Sequence, residues 1–323
     1  MPLPLPVSLT PSKVSSFKEC ALAFRLSAID HLPEPPTLPA FKGTVVHRAL
    51  ELLIWEEPPG RRSRRTAMGM LDRALEELLG GEEGLALGLD EAAREDLREE
   101  TTALVDNYFV LEDPDDVRAI GTELRLEVEL GATAGTESAH GGAAPVRLRG
   151  IIDRLELGPD GELIVTDYKT GKAPRISQEG HRLDGVHFYA FLCEQIFGRR
   201  PVRVQLFHLR EPLAIFTTPS DQSVAGLARQ AGAIWSTIRR CCALEDFRPK
   251  PGPGCSWCSY HAYCPAQGGD LSLVTRRSRA AATGGPTAGC SLPEGATELP
   301  TLFDEPGTPE LGAADLTGAV GAK

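Results

Sequence analysis

The chain has 323 residues, of which 41% are hydrophobic, and a formal net charge of −11, enough apolar material for a real core in one large domain or two ordinary ones. So acidic a balance argues against a protein that coats nucleic acid through bulk positive charge, while leaving open an acidic metal site beside a local basic track. No apolar run reaches the roughly eighteen residues of a membrane span, and MPLPLPVSLTPS lacks the basic and unbroken apolar regions of a signal peptide, so a cytoplasmic protein with no membrane partner is expected.

Thr10 is an N-cap signal with Pro11 at the first helical position. Val14, Phe17, Ala21, Phe24 and Ala28 then form one apolar stripe, so residues 10–29 are expected as a single helix. Cys20 lies beside that stripe and, from this helix alone, reads as a buried core cysteine. A proline-rich connector follows (Pro33, Pro35, Pro36, Pro39), then GTVVHRALELLIW at 43–55, a strongly apolar helix with His47 and Glu51 on one face. A lone histidine in such a helix is ordinarily packing, but His47 is a candidate metal ligand that Glu51 would orient or join. Residues 66–111 read as an acidic helical insertion, interrupted near Gly80-Gly81, with Leu97, Leu104, Val105 and Tyr108 at helical spacing.

From Thr122 the period changes to two: Leu124, Leu126, Val128 and Leu130 alternate with charged residues, a half-buried strand. A Gly/Ala/Ser-rich loop at 131–144 leads to RGIIDRLEL (149–157) and GELIVTDYKTGK (161–172), joined by the turn signal GPDG (158–161), so a β-hairpin is expected. Alternation puts Asp167 and Lys169 on one face of the second strand, and Asp153 brings another carboxylate to the same edge. An Asp–Lys surface pair alone is common and worth little. Two carboxylates, a lysine and a helix-borne histidine upstream are instead a donor set for Mg2+ or Mn2+, which take hard oxygen ligands and keep several waters.

Further on, 183–198 reads as a helix, 202–209 as a strand and 221–243 as a helix, which makes a mixed α/β core. The basic clusters Arg61-Arg62-Ser63-Arg64-Arg65, Arg199-Arg200 with Arg203, and Arg239-Arg240 each read as solvated surface; beside a metal centre they become candidates for phosphate contacts. Cys255, Cys258 and Cys264, in C-x2-C-x5-C followed by Pro265, supply three thiolates of the four that zinc or an iron–sulfur cluster needs. Cys20, Cys241, Cys242 and Cys290 are candidates for the fourth, with His261 an outside candidate, and spacing alone leaves zinc and iron–sulfur both open. Trp235, Trp257 and Tyr260 are read as core or cluster packing, with base stacking as the alternative. Beyond residue 267 the Gly/Ala/Thr/Pro/Ser-rich composition is that of a disordered tail. Within it, Leu302-Phe303 is a weak match to peptides that dock on the sliding clamp.

In this order, Ser16 with Cys20, GTVVH (43–47), GIID (150–153), DYKTG (167–171) and the C-terminal cysteines resemble a RecB-family exonuclease of the PD-(D/E)XK nuclease superfamily, in its iron–sulfur branch, similar to the AddB nuclease domain and CRISPR-associated RecB-like nucleases. The resemblance covers roughly residues 8–266. It implies an α/β, restriction-endonuclease-like core over 1–267, with a mixed central sheet flanked by helices, a helical insertion at 66–111 and a terminal Fe–S clasp. His47, Asp153 and Asp167 would bind Mg2+ or Mn2+, and Lys169 would be the catalytic lysine. Cys20, Cys255, Cys258 and Cys264 would hold a 4Fe–4S cluster, with zinc the lesser alternative. The implied activity is metal-dependent cleavage of DNA from single-stranded ends in repair or recombination. The family's glutamine four residues before Tyr189 is replaced by Gly185, which leaves Tyr189, a candidate substrate contact, without that companion, unless His187 compensates. No G-x-x-x-x-G-K-[ST] occurs, so the chain stands alone or borrows a helicase partner's motor. The alternatives are a non-catalytic Fe–S DNA-binding subunit of a helicase–nuclease complex and a zinc-stapled regulator.

Overall fold

The computed structural model describes residues 2–130, 145–173 and 179–274. The loop at 131–144, Cys290 and the Leu302-Phe303 pair lie outside the described residues. Among those described, no helix is long and apolar enough to cross a membrane.

Two helices, α1 (Pro11–Glu19) and α2 (Ala21–Ala28), replace the single helix expected over 10–29. Thr10 caps α1, its hydroxyl accepting from the Lys13 N–H at 3.2 Å. Between the helices Cys20 is extended (φ −156°, ψ 110°), although its N–H still donates to Ser16 and its carbonyl accepts from Phe24. The apolar stripe survives the break because Phe17 and Phe24 meet edge to face, 5.2 Å between centroids. Periodicity does not register one residue stepping out of a helix whose flanking hydrogen bonds persist.

Helix α3 (Leu38–Glu56) starts before residue 43, with Thr37 capping the Ala40 N–H at 3.4 Å and Pro39 in the first turn, where its missing N–H costs nothing. The acidic region forms α4 (Arg64–Leu79), α5 (Glu82–Leu87) and α6 (Glu91–Leu111), interrupted where Gly80-Gly81 was expected to break it.

Strands β1 (Ala119–Leu130), β2 (Val146–Leu157), β3 (Leu163–Lys169), β4 (Arg203–His208) and β5 (Leu213–Thr217) form one mixed sheet in that spatial order. All neighbours are antiparallel except β3 and β4, whose parallel pairing requires a crossover, supplied by α7 (Glu179–Phe197). The β2–β3 turn closes with Gly161 at φ +76°, a conformation open to glycine, and its N–H reaches the Gly158 carbonyl at 3.1 Å. Strand β5, too short and too polar-flanked to stand out in the sequence, covers the edge of β4. Helix α8 (Asp221–Leu244) opens on a Ser220/Ser223 capping box.

Both faces of the sheet are covered. On one, α1, α2, α7 and α8 enclose a core including Leu22, Phe24, Leu155, Val165, Phe188, Leu206 and Ile238; on the other, α3, α4 and α6 pack Leu50, Leu53, Leu71 and Tyr108 toward Tyr168 and Phe207. Burying each such large side chain contributes about 1.5–3 kcal/mol. Strand β3 is buried along all but its last residue, as a central strand between two helical layers should be. At the C-terminal end, Val274 still packs into the first core, so folded chain runs past residue 267.

Candidate metal centre

The β2–β3 ladder ends at Arg154 and Thr166. Beyond that pair β2 remains with β1, while β3 continues beside β4 as far as Lys169 and His208. Where the two strands part, the Tyr168 N–H has no strand partner on the β2 side and donates instead to Asp153 Oδ2 at 2.7 Å. Helix α3 supplies His47 to the same fork, with Nε2 3.1 Å from the Tyr168 carbonyl. A carbonyl only accepts, so Nε2 carries the hydrogen in this arrangement. The other nitrogen, Nδ1, faces Asp153 Oδ2 at 3.6 Å and Glu123 Oε1 at 3.7 Å. These three side chains are close enough together to hold one metal ion.

Asp167, from β3, stands beside them with only 3% of its surface exposed. Its Oδ2 meets the Lys169 ammonium, and its carboxylate hydrogen-bonds the Tyr189 hydroxyl from α7. Helix α7 comes near enough because residue 150 of β2 is glycine: a Cβ there would lie 2.8 Å from Leu192 Cδ1 and 3.3 Å from the Tyr189 ring.

The charges are tuned against one another. Burial, then repulsion from Asp167, pushes the Asp153 carboxyl up to about 7, despite the nearby His47, Lys169 and Tyr168 N–H. For His47, burial pulls downward, but the nearby Glu123, Asp153 and Asp167 carboxylates together hold it at about 9. Burial and the two aspartates raise the Tyr189 phenol well above its ordinary range, so it stays a neutral donor. A divalent cation would relieve this crowding of carboxylates, and both Asp153 and His47 must release a proton to ligate it. Manganese affinity is therefore expected to fall as pH drops through 7, by at least about 10-fold between pH 8 and pH 6 in titration calorimetry. An affinity flat across that range would remove Asp153 from the ligand set.

The fork thus gathers His47, Asp153, Asp167, Lys169 and Tyr189, which the sequence singled out separately. Glu51 is not part of it, because Arg48 holds its carboxylate at 2.8 Å. Its expected place beside His47 is taken by Glu123, which the sequence reading missed. In period two, Glu123 belongs with Arg125, Glu127 and Glu129 on the polar face. The backbone there departs from a regular strand: β1 shifts register between Ala119 and Gly121, and Glu123 has φ +46°. That unusual dihedral has no signature in the residue types. His187 lines a small cavity against α8 with Ser223 and Gln230, facing that helix and not the fork.

A second gathering lies away from the fork. Cys20, Cys255, Cys258 and Cys264 line a single cavity of about 450 Å³, floored by Leu22 and Leu26, with His261 also in its wall. The break at Cys20 is what turns this residue out of the α1–α2 stripe, so it is half-buried at the cavity and not a core cysteine. Cys242 is buried elsewhere, with Sγ 3.6 Å from the Pro4 carbonyl, and Cys241 flanks it. Trp235 and Tyr260 are buried as expected, whereas Trp257 is 89% exposed, so cluster packing does not describe it.

Three arginines of the basic clusters have internal partners. Arg62 is buried and donates to the carbonyls of Ile54, Glu57, Pro114 and Val117, and so pins the start of α4 to the end of α6. Arg200 pairs with Glu194 and Asp221, and Arg203 lies over Phe216.

Residues 8–265 match the family model of the PD-(D/E)XK nuclease superfamily. Among solved structures, a Eubacterium rectale protein described as a candidate exonuclease is similar over 79% of this chain and 88% of its own, at 10% identity and a TM-score of 0.44. SSO0001 is similar over 79% of this chain and 95% of its own, at 14% identity and a TM-score of 0.32. No curated protein matches.

Proposed function

The chain belongs to the PD-(D/E)XK nuclease superfamily, and from that premise we propose that it is a metal-dependent deoxyribonuclease of RecB type, an exonuclease working from single-stranded DNA ends in repair or recombination. The observation that carries this reading is the convergence of His47, Asp153, Asp167 and Lys169 where β2 and β3 part. Mg2+ or Mn2+ fits this donor set: one imidazole nitrogen of His47 and carboxylate oxygens of Asp153 and Glu123 lie within ligating reach of one another, and Asp167 adds its charge beside them. When bound, such an ion lowers the pKa of a water and offsets charge on a phosphate. Asp153 is oriented by the Tyr168 N–H, and Tyr189 fixes the Asp167 carboxylate. Lys169, two-fifths exposed, holds its ammonium against Asp167 at the solvent side of the fork. There its ammonium would orient the attacking water or meet the charge growing on the phosphate oxygens.

Incubation of end-labelled linear and covalently closed circular DNA, single- and double-stranded, with Mg2+ or Mn2+ tests the reading. Progressive loss of linear single strands, with circles intact, is expected. Cut circles would make the enzyme an endonuclease. DNA bound and never cut would sink the catalytic reading of the isolated chain and point to a subunit serving a helicase partner.

The cysteine cavity supports assignment to the iron–sulfur branch. Four thiols are the full ligand set of a 4Fe–4S cluster, and a cavity of this size suits a group larger than one zinc ion, around which thiolates close tightly. Such a cluster would tie residue 20 to 255–264, the two ends of the nuclease fold, so its role would be to hold them together. Protein purified without oxygen should carry about four iron atoms per chain with visible absorbance. Cys20→Ser should lose both and unfold about 5 °C or more lower, in line with the loss of 2 kcal/mol or so. One zinc and no iron per chain would overturn the assignment.

A further inference from the structure

The metal centre opens on a groove of about 630 Å³ that runs between the first half of α3 and β1, with His47 and Glu123 at its inner end. Farther along, its walls carry the hydroxyls of Thr44 and Thr170 and two arginines, Arg48 and Arg125. Arg48 is neutralised there by Glu51 and Glu77. Arg125 is not. Its neighbours on the polar face of β1 are committed elsewhere: Glu123 faces His47, and Glu127 pairs with Arg147 at 3.2 Å. Across the ladder it meets Ile151, and among the described residues no carboxylate pairs with it. An exposed guanidinium with no carboxylate partner among the described residues, set beside the fork, is free to take a phosphate in its planar donor fork.

Resting on the nuclease reading above, we propose that Arg125 is a phosphate-binding residue, which grips the sugar–phosphate backbone of the substrate strand next to the phosphate being cut. Glu123 and Arg125 are two residues apart on one strand, roughly 6–7 Å, a separation comparable with that of successive phosphates along a nucleic-acid strand. The acidic centre repels DNA on approach, and a cation one phosphate away offsets that repulsion without displacing the metal ion. The Thr170 hydroxyl is the kind of neutral donor that accompanies arginine in phosphate contacts, whereas the Thr44 hydroxyl donates to the Ala40 carbonyl at 3.3 Å. The grip reads no base, so it sets affinity and register and not sequence preference.

The test compares wild type, Arg125→Gln and Arg125→Lys on linear single-stranded DNA across a salt series. The glutamine variant is expected to raise KM roughly 3- to 10-fold at moderate salt, and to flatten the dependence of log KM on log salt by about 0.7, the loss of one phosphate contact on a single strand. Its kcat should stay within twofold and its manganese affinity unchanged, and Arg125→Lys should restore most of the salt dependence. Wild-type KM and salt slope in a folded Arg125→Gln would overturn the proposal while leaving the nuclease reading intact. A fall in kcat together with weakened manganese binding would overturn it too, since Arg125 would then act through the metal centre. If wild type cleaves no DNA under any metal, the nuclease reading fails and this proposal falls with it.

Discussion

Asp167→Ala and Lys169→Ala are each expected to reduce metal-dependent DNA cleavage by at least about 10³-fold, with the fold left intact. Both side chains are placed by β3, whose buried residues from Leu163 to Tyr168 lock the strand between two helical layers. Their polar ends contribute little to that packing. Asp167 Oδ2 is buried with no hydrogen-bond donor beyond the Lys169 ammonium it touches, and its neighbour Asp153 repels it. The crowding of the two carboxylates, which pushes the Asp153 carboxyl up, is what a bound cation would relieve. The thermal midpoint of either variant in chelator should therefore stay within about 4 °C of wild type. Manganese binding separates the two roles: Asp167→Ala should lose it, whereas Lys169→Ala should keep it and lose turnover. An Asp167→Ala enzyme that still cuts DNA at a tenth of the wild-type rate would place the reaction elsewhere in the molecule.

The opposite balance holds one layer deeper. Arg154→Met is expected to destabilise the protein by about 3–5 kcal/mol, read as a shift of the denaturant midpoint. Arg154 follows Asp153 on β2 and so points to the other face of the sheet, where it is 0% exposed. There it makes a two-pronged ion pair with Glu112 at the end of α6, bonds the Tyr168 hydroxyl at 2.8 Å and Thr166 at 3.0 Å, and pairs with Glu156 at 3.1 Å. Gln205 on β4 extends the network to Glu156 and Thr166. Methionine fills the volume but leaves two carboxylates without their cation. Burial, with Glu112 adding to it, already raises Glu156, and the Arg154 guanidinium is the main group opposing that rise, with Arg203 contributing less. The consequence reaches the fork, since Tyr168 contributes its N–H to Asp153 and its carbonyl to His47. Glu112→Gln, which keeps an acceptor for Arg154, should cost less than half as much. A stability unchanged in Arg154→Met would mean that apolar packing alone joins α6 to the sheet.

Much of the site was legible because its members sit in regular elements. In a strand, alternate side chains share a face, so D-x-K on β3 already implied an aspartate and a lysine together. The GPDG turn between two apolar runs gave the hairpin, and with it the approach of Asp153. Glu123 was invisible for the complementary reason. Its neighbours obey alternation, and the backbone irregularity that turns it toward His47 leaves no mark in a period-two pattern. Arg62 shows the same limit: in the sequence it is one of four arginines in five residues, and only the meeting of α3, α4 and the end of α6 supplies the carbonyls that bury it.

By itself, then, the sequence determined what depends on neighbours along the chain: most of the helical stretches and the Thr10 cap, the alternation of β1, the hairpin, and the residue types able to bind a hard cation or a soft metal group. The tertiary structure alone decided what depends on which surfaces meet. It set Cys20 at the cysteine cavity and Cys242 away from it, placed Glu123 and not Glu51 beside His47, exposed Trp257, and left Arg125 without a carboxylate partner among the described residues. Local periodicity specifies the direction of a side chain relative to its own element. Burial, charge pairing and ligand geometry are set by the distances between elements, and those come into being only when both faces of the sheet are covered.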